Sequence, residues 1–519
     1  MIQEIQVSVL PTDAHDNVNW KRIASKETGI PLDEISEVRL LRRSIDARRK
    51  PIKFQLKFAV ISGEEPPEQE LVYLRKDVSD RPEIGIVGAG PAGLFAALQA
   101  IQLNLKPVIF ERGKDVKARR RDLAIINKQQ QVNPDSNYCF GEGGAGTYSD
   151  GKLYTRSKKR GSVKQVLEWL VAFGAEKDIL IDAHPHIGTN RLPKIIESIR
   201  EEIIHCGGEV HFESKVVDFL ITDNEIKGIA YVQSANRKER NFDHVILATG
   251  HSARDIFYLL NQKGIALKAK PFAIGVRIEH SQQLIDSIQY HGETDNELLP
   301  PASYALVEQV DGMGVYSFCM CPGGIIAPCA TDQQEVVTNG WSPSKRNNPY
   351  ANSGIVVQVA PEDLDGDHKD PFICLNFQKQ VERKCWEVAG KTQQVPAQRM
   401  IDFVENKLST DLPKTSYQPG LKSVNLNEVL PPLLSKRLQK AFVKFGQKMK
   451  GYYTNDAVIH APESRTSSPV QIPRDKETLQ HIEIKGFYPC AEGAGYAGGI
   501  VSAAIDGMNC VEKIATHHK

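Results

Sequence analysis

One segment near residue 90 constrains the fold of this chain more than any other. The short apolar strand Ile84–Val87 runs into three glycines with the spacing Gly-x-Gly-x-x-Gly, namely Gly88, Gly90 and Gly93, and a helix rich in small residues follows. This arrangement is typical of a βαβ unit that binds a dinucleotide. The first glycine permits a tight turn, the second lets the backbone approach a pyrophosphate, and the third lets helix and strand pack closely.

An acidic residue at a suitable distance supports this interpretation. Leu105–Phe110 has the pattern of a second strand, and Glu111 follows it directly. An acid about 20 residues after the glycine motif can hydrogen-bond a ribose hydroxyl. The alternative is a glycine-rich loop that binds no ligand, but the strand, helix and acid together favour a nucleotide site.

Length and composition exclude several classes of protein. A chain of 519 residues is too long for one hydrophobic core and predicts two or three domains. No apolar run approaches the roughly 18 residues that span a bilayer. The first residues, Met1–Val7, lack the basic and apolar regions of a signal peptide, so we expect a cytoplasmic protein.

Charge and cysteine content add two further expectations. The formal net charge of +1 argues against a surface that coats nucleic acid. The nine cysteines are odd in number and irregularly spaced, which predicts reduced thiols rather than a secreted disulfide framework.

The element pattern divides the chain into four segments. Residues 1–80 predict a small α+β domain, with a solvated turn at the basic run Arg42–Lys50. Residues 81–270 predict the first part of a nucleotide-binding domain, including a helix over Arg191–Cys206. Residues 271–458 predict an inserted α+β cap or substrate domain, and residues 459–519 return to the nucleotide-binding domain with a helix over Val501–Ile514.

Two further glycine-rich segments need to be explained with the first. Gly143, Gly144 and Gly146 precede Thr147, and the loop Glu492–Ile500 precedes the last helix. Each offers backbone N–H groups to a ligand. A nicotinamide dinucleotide normally needs one such motif, whereas a flavin that is buried across a domain recruits loops from the beginning, middle and end of the chain. The sequence therefore predicts FAD; the alternative is that two of the segments are only turns.

Four segments resemble the signature of the glutathione-reductase-type FAD flavoproteins: Val87–Ala97, Glu111–Gly113, Ala248–Gly250 and Tyr488–Gly495. Further segments resemble a narrower family of uncharacterised bacterial FAD-dependent dehydrogenases: Phe140–Leu153, Gly250–Asp255, Phe272–His280, Cys319–Gly324 and Ser464–Pro469. The resemblance implies an α/β, Rossmann-like FAD-binding domain with an inserted cap domain, non-covalent FAD and oxidoreductase activity. It does not supply a substrate.

The resemblance also implies which residues contact the cofactor. They are Gly88, Gly90, Ala92, Gly93, Glu111, Arg112, Gly143, Gly144, Gly146, Thr147, Lys152, Val216, Ala248, Thr249, Gly250, Glu492, Gly493, Gly498, Gly499 and Ile500. Among them, Glu111 would bind the adenosine ribose, the Val216 backbone the adenine edge, and Glu492 the ribityl or phosphate oxygens. Gly498–Ile500 would direct a helix N-terminus at the flavin ring.

Three residues are candidates for the reaction itself. His251, directly after Ala-Thr-Gly, is a candidate proton donor, or else a histidine held by structural hydrogen bonds. Arg465, in a polar loop, is a candidate anion-binding residue. Arg277 is a candidate substrate-binding residue, with an interdomain salt bridge as the alternative. The neighbouring Arg254 and Asp255 are expected to pair with each other.

Cys319 and Cys321 are a candidate redox pair, because two thiols separated by one residue lie on the same face of a strand. The alternative is a buried structural strand. We expect no metal site here, since Cys329 is the only nearby third sulfur and no matching histidine pair follows.

The sequence thus predicts an FAD-dependent oxidoreductase that acts on a small organic substrate. With a single glycine motif of this type, the reductant would be a transiently bound NAD(P)H, the substrate itself or a protein partner. One alternative is an FAD-bearing RNA-modifying enzyme that uses Arg42–Lys50 and Lys117–Arg121 as basic contacts, although nucleic acid is disfavoured by the charge. Another is a non-catalytic flavin or electron-transfer protein.

Overall fold

The computed structural model describes residues 1–63, 73–155, 161–294 and 297–516. The strands are β1 (Ile2–Val9), β2 (Ile35–Asp46), β3 (Lys53–Ser62), β4 (Glu83–Val87), β5 (Lys106–Phe110), β6 (Glu209–His211), β7 (Ser214–Thr222), β8 (Glu225–Gln233), β9 (Asn236–Asn241), β10 (Val245–Leu247), β11 (Lys268–Ala269), β12 (Phe272–Ser281), β13 (Val307–Val310), β14 (Met313–Cys321), β15 (Ile325–Pro328), β16 (Thr338–Trp341), β17 (Tyr350–Val359), β18 (Val395–Arg399), β19 (Leu421–Ser423), β20 (Val458–Glu463), β21 (Val470–Gln471) and β22 (Phe487–Pro489). The helices are α1 (Pro11–Ala14), α2 (Asn17–Thr28), α3 (Pro91–Gln102), α4 (Val116–Gln129), α5 (Val163–Ala172), α6 (Leu192–His205), α7 (Arg254–Gln262), α8 (Gln282–Gln289), α9 (Ile373–Val388), α10 (Met400–Val404), α11 (Pro432–Lys448) and α12 (Ile500–Thr516).

The N-terminal segment forms a three-stranded antiparallel sheet in the order β1-β3-β2. The basic run forms the expected turn only in its second half: β2 continues to Asp46, which pairs with Lys53 of β3, and the exposed Arg48–Lys50 lie in the connection between the two strands. Ile45 packs against the core of this sheet, and Arg43 forms ion pairs with Asp182 and Asp178. Pairing with β3 and these contacts to a distant segment together hold the first half of the basic run in a strand.

The nucleotide-type segment forms a five-stranded parallel sheet in the order β22-β10-β4-β5-β6. Its strands are short and almost wholly apolar, as buried parallel strands are. The last strand of the chain, β22, pairs with β10, so the C-terminal segment completes the sheet that β4 begins. The predicted helices over Arg191–Cys206 and Val501–Ile514 are confirmed, within one or two residues, by α6 and α12.

The region between them forms a mixed seven-stranded sheet in the order β13-β14-β17-β12-β20-β18-β19. β20 starts at Val458, where the sequence places the end of the inserted domain, and it pairs with both β12 and β18. Apolar residues of α11 pack against this sheet, and among them Leu434, Leu438 and Phe442 are fully buried. Besides the two large sheets and the N-terminal sheet, the described residues form three smaller sheets: β7-β8-β9, β15-β16 and β11-β21.

Within the described ranges, every helix is too short or too polar to cross a membrane.

Candidate functional site

The glycine-rich segments from the beginning, middle and end of the chain meet at one place. A Cβ atom built on Gly146 would lie 3.3 Å from Pro91, the first residue of α3, and 3.4 Å from Ile500, the first residue of α12. A Cβ on Gly144 would lie 3.2 Å from the Cα of Gly90. We call these three segments, Gly88–Gly93, Gly143–Thr147 and Gly498–Ile500, the glycine cradle.

Hydrogen bonding and helix packing fix the cradle. The Gly143 N–H donates to the Ala89 carbonyl at 2.8 Å, which joins the first two segments. α3 and α12 approach each other at backbone distance, since a Cβ on Gly507 would lie 2.1 Å from the Ala92 carbonyl oxygen. The start of α3 therefore lies against the interior of α12, and the positive dipole end and terminal N–H groups of each helix favour an anionic group such as a pyrophosphate.

Several glycines around the cradle face open space. A Cβ on Gly90 would have one neighbour within 4 Å, the Gly144 Cα at 4.0 Å, and a Cβ on Gly250, Gly498 or Gly499 would have none. Gly90 is the N-cap residue just before α3, and no side chain accepts a hydrogen bond from the first N–H groups of the helix there. This backbone leaves room for a ligand to approach at van der Waals distance, and its exposed donors fit the phosphates of a dinucleotide cofactor.

Glu111 organises the loops beside the cradle. Its carboxylate accepts backbone N–H groups from Ala89 at 2.9 Å, Gly113 at 2.9 Å and Gly141 at 3.0 Å. The side chain is 5% exposed. A carboxylate has about four acceptor positions, so three are used by the protein and one remains for a ribose hydroxyl.

A second cluster of predicted residues lies where β10 ends. Gly493 packs directly on Thr249, since a Cβ built on Gly493 would lie 2.1 Å from the Thr249 carbonyl oxygen. A Cβ built on Gly88 would lie 2.7 Å from the Ala248 carbonyl oxygen. The Ala-Thr-Gly segment thus touches both the first glycine turn and the C-terminal loop. Its position matches the predicted convergence of these segments.

Glu492 and His251 form a hydrogen-bonded pair at this point. The Nδ1 of His251 lies 3.2 Å from a Glu492 carboxylate oxygen, and the Gly499 N–H donates to the other oxygen. Burial raises the pKa of Glu492, but its hydrogen bond to His251 and the contact from Gly499 outweigh this effect, so that the pKa is lowered. The pair therefore presents an ionised carboxylate and an oriented imidazole next to the start of α12.

Arg112 lies at a neighbouring cleft of about 600 Å³, whereas Val216 does not line it. Arg112 lines this cleft, stacks over Phe140 at 4.5 Å and pairs with Asp255 at 2.8 Å. Val216 is a buried residue of β7, whose neighbour Lys215 also lines the cleft. The expected Arg254–Asp255 pair is wrong, because Asp255 is bound by Arg112 and Arg254 points to other carboxylates.

Those carboxylates form part of a buried ionic cluster. Arg254 contacts Glu335 at 2.9 Å and Glu382 at 2.6 Å, and Arg465 contacts the same two acids, each at 2.7 Å. Burial raises the pKa of Glu335, but the charges of Arg465 and Arg254 have a larger opposite effect and bring the pKa down to about 2. Arg465, the predicted anion-binding residue, is thus neutralised by acids of the protein itself.

Arg277 occupies a similar environment inside the seven-stranded sheet. It is 0% exposed, and its guanidinium binds both carboxylate oxygens of Glu463 at 2.7 and 3.0 Å and the Asn352 amide oxygen at 2.7 Å. The salt bridge expected as the alternative is therefore present, but it joins two neighbouring strands of one sheet and is not an interdomain contact. We call this pair, together with the cluster of Arg254, Arg465, Glu335 and Glu382, the ionic core.

Lys152, predicted to bind the cofactor, contacts the Met320 carbonyl between Cys319 and Cys321. It lies at the end of the loop that carries Gly146 and Thr147. The thiol pair is therefore adjacent to the segment that supplies the middle part of the cradle.

Sequence reasoning missed Arg119. This residue is fully buried and donates to the carbonyls of Asn137 at 2.8 Å, Tyr138 at 2.9 Å and Glu142 at 2.8 Å, so it braces the loop that leads into the cradle. The basic run around it suggested a solvent-facing patch. The signal that could have found it is its position three residues after Val116, on the same helix face as Leu123 and Ile126.

Two family models match parts of the chain. Residues 271–466 match "FAD-dependent protein, C-terminal domain-like", and residues 1–61 match a domain of unknown function. Over its whole length the chain is similar to an uncharacterized protein of Clostridium beijerinckii, with 38% identity over 97% of each protein.

Solved structures give weaker likenesses. A flavoprotein/dehydrogenase from Cytophaga hutchinsonii matches with a TM-score of 0.38 and 11% identity, over 84% of this chain and 78% of that one. A geranylgeranyl bacteriochlorophyll reductase-like protein from Thermoplasma acidophilum matches with a TM-score of 0.36 and 12% identity, over 84% and 80%. TM-scores of this size do not establish a shared activity.

Proposed function

Because this chain belongs to the same family as the uncharacterized Clostridium beijerinckii protein and carries an FAD-dependent C-terminal domain-like region, we propose that it is an FAD-dependent oxidoreductase. Its substrate would be a small organic molecule, and its cofactor would be bound without a covalent link. Membership of the glutathione-reductase-type subgroup and a transient NAD(P)H reductant are finer parts of the same proposal.

The observation that carries the proposal is the convergence of two helix starts on Gly146. Pro91 of α3 and Ile500 of α12 come from opposite ends of the chain, yet both lie within van der Waals distance of a Cβ built on this glycine. A mononucleotide loop needs one helix N-terminus. Two adjacent ones, with a glycine-rich loop between them, suit an extended cofactor with both a pyrophosphate and a ring system to bind.

Each part of the site has a role in this proposal. Gly90, Gly144 and the first turn of α3 would hold the pyrophosphate, Glu111 the adenosine ribose, and Gly498–Ile500 the flavin ring. When bound, FAD supplies a two-electron acceptor and donor for hydride transfer. The protein supplies the fixed N–H groups and dipoles, which need no reorganisation during the reaction.

His251 would exchange a proton with the substrate. Its Nδ1 faces the ionised Glu492, which orients the ring and leaves Nε2 as the nitrogen that gives or takes the proton. Replacing Glu492 by Gln would therefore disturb both the histidine and the start of α12.

The test compares two glycines in the purified protein. Gly90→Val has room in the protein alone, where φ is −76° and the nearest atom is 4.0 Å from the new Cβ, so its unfolding transition without flavin should be unchanged. Its added methyl groups would occupy the approach of the pyrophosphate, so FAD retention, measured by visible absorbance and release on denaturation, should be lost. Gly314→Ala, with contacts no closer than 3.5 Å in β14, is the matched control and should retain FAD.

Protein that stays colourless after FAD addition, or Gly90→Val with normal flavin content, would contradict the proposal. Anaerobic mixing with NADH and with NADPH then separates an oxidoreductase from a non-catalytic flavin protein, which would bleach no faster than free flavin. The RNA-modifying alternative loses part of its basis, because Arg119 is buried and Lys117 pairs with Glu197 at 2.7 Å.

A further inference from the structure

Cys319 and Cys321 lie at an irregularity of β14. Phe318 pairs with Gly354 and Cys321 with Asn352, so β14 carries one residue more than β17 between these two pairs. Cys319, inside this bulge, has a φ of +47°, which few residues other than glycine adopt. Bulges and such backbone strain are concentrated at functional sites, where they redirect a side chain.

The bulge brings the two thiols together. In a regular strand, residues two apart are separated by about 6.7 Å, which is too far for their sulfur atoms to bond without backbone movement. Here the Cys321 thiol lies 3.2 Å from the Cys319 carbonyl oxygen, and the two thiols are near enough for each to shift the pKa of the other. The bulge therefore places both thiols within the same short stretch of bent backbone, as a disulfide between them requires.

The pair also lies between two buried cations. Lys152 binds the Met320 carbonyl, and the Arg277 guanidinium lies 3.4 Å from the Cys319 carbonyl oxygen. The hydrogen bond from Cys321 lowers the pKa of Cys319, burial opposes this effect, and the charges of Lys152 and Arg277 add to the lowering. The hydrogen bond with Cys319 and burial raise the pKa of Cys321, so the two thiols differ in protonation.

The charged and titratable groups that face the pair come from several elements. They are Lys152 and Asp150, which follow the cradle segment Gly143–Thr147, Arg277 from β12, Glu463 from β20, and Tyr304. Arg346 is a further cation, and its charge lowers the pKa of Lys152. Asp150 is paired with Arg346 at 3.0 Å and Glu463 with Arg277. Because both nearby acids have cationic partners, the net field still favours a thiolate at Cys319.

Cys319 is also partly exposed. Of the nine cysteines, all within the described residues, seven are buried, and only Cys319 and Cys139 are partly exposed. Burial raises the pKa of Cys139, so it stays a thiol. Cys319 alone combines access with a lowered pKa, which is the pattern of a reactive cysteine.

We propose that Cys319 and Cys321 form a redox-active dithiol that reduces a disulfide substrate, with Cys319 as the attacking thiolate and Cys321 as the resolving thiol. The Cys319 thiolate attacks one sulfur of the substrate, which forms a mixed disulfide and expels a thiolate. The Cys321 sulfur then attacks Cys319, expels the second substrate sulfur and gives its proton to a released thiolate. The dithiol loses two electrons and one proton, and the disulfide becomes one thiol and one thiolate.

This exchange needs no cofactor, so its test is independent of the function proposed above. The reduced, purified chain is mixed with bis(2-hydroxyethyl) disulfide, and the products are mapped by peptide mass spectrometry. The wild-type chain should form an internal Cys319–Cys321 disulfide. Cys321→Ser should stop at the mixed disulfide on Cys319, Cys319→Ser should leave residue 321 unmodified, and Cys139→Ser, the matched control, should behave as wild type.

A second measurement tests the role of Lys152 as a positioning residue. Alkylation of Cys319 by iodoacetamide should show its inflection below pH 7, against about 8.5 for a free cysteine. Loss of one nearby cation in Lys152→Met should move this inflection up by about one pH unit and lower the alkylation rate at pH 6 about twofold, and Lys152→Arg should restore both. A lysine that only supports the fold would leave this inflection unchanged.

Three results would overturn the proposal. The wild-type chain could stop at a mixed disulfide, the exchange could persist in Cys319→Ser, or the inflection of Cys319 could lie at the value of a free thiol.

Discussion

The glycine cradle and the ionic core hold the same molecule together by opposite means. The cradle presents backbone N–H groups and open space at Gly90 and Gly499, with few side chains in its binding surface. The ionic core presents fully buried side chains, such as Arg277 and Glu463, that neutralise each other. Ligand binding at the cradle is therefore sensitive to atoms added at its open glycines, and the stability of the ionic core is sensitive to a lost charge.

The two cysteine pairs lie in different charge environments. Cys319 and Cys321 lie near Lys152 and Arg277, whereas Cys490 and Cys510 lie near the carboxylate of Asp506. Arg474 binds both oxygens of Asp506 at 2.7 and 2.9 Å, so that acid and its cation are already matched. The hydrogen bond to Cys510 raises the pKa of Cys490, so Cys490 stays a thiol.

The largest effect is expected from removing one charge of the ionic core. Arg277→Met would leave Glu463 buried without its cation, which costs about 3–5 kcal/mol of unfolding free energy. The double variant Arg277→Met, Glu463→Leu removes both charges and should recover most of this loss. Urea unfolding of the three proteins checks the prediction, and a double variant no more stable than the single one would contradict it.

A somewhat smaller effect is expected for Glu335, and it depends on pH. Its pKa of about 2 lies below the 4.5 of an unperturbed glutamate, so the carboxylate contributes about 3 kcal/mol of stability above pH 4.5. That contribution is lost progressively as the pH falls from about 4.5 toward 2, because the unfolded chain takes up the proton first, and the loss is complete once the folded carboxylate is protonated as well.

Glu335→Gln is the variant that isolates this effect. It should be less stable than wild type at pH 7 by about 3 kcal/mol, and the difference should shrink steadily below pH 4.5. Glu477→Gln, at an exposed position, is the matched control and should match wild type throughout. A difference between Glu335→Gln and wild type that does not change with pH would mean that shape, not charge, stabilises this site.

The contrast between the two regions also explains what the sequence could predict. The cradle depends on glycine spacing, a short apolar strand and helix ends, and all three are local features of the sequence. Its segments, and the bounds of α6 and α12, could therefore be predicted closely. The convergence of the three segments could also be predicted, because a cofactor as large as a flavin dinucleotide needs loops from several parts of the chain.

The ionic core depends on partners that are far apart in the chain. Arg254 binds Glu335 and Glu382, which lie 81 and 128 residues away, and no local pattern distinguishes these from its neighbour Asp255. The same reason applies to β2, whose basic end is held by pairing with β3 and by Asp182. A stretch of charges looks alike whether it faces water or a distant acid.

The smallest of these effects concerns Gly93, where the cradle should prove sensitive to one methyl group. A Cβ at Gly93 would lie 2.0 Å from the Gly88 carbonyl oxygen, so α3 must move away from β4, at a cost of about 1–3 kcal/mol. Gly90→Ala, three residues earlier with no atom closer than 4.0 Å, is the matched control and should unfold as wild type without flavin. Urea unfolding of the flavin-free proteins measures both. If Gly93→Ala were as stable as Gly90→Ala, the close approach of helix and strand would not be what holds the first turn in place.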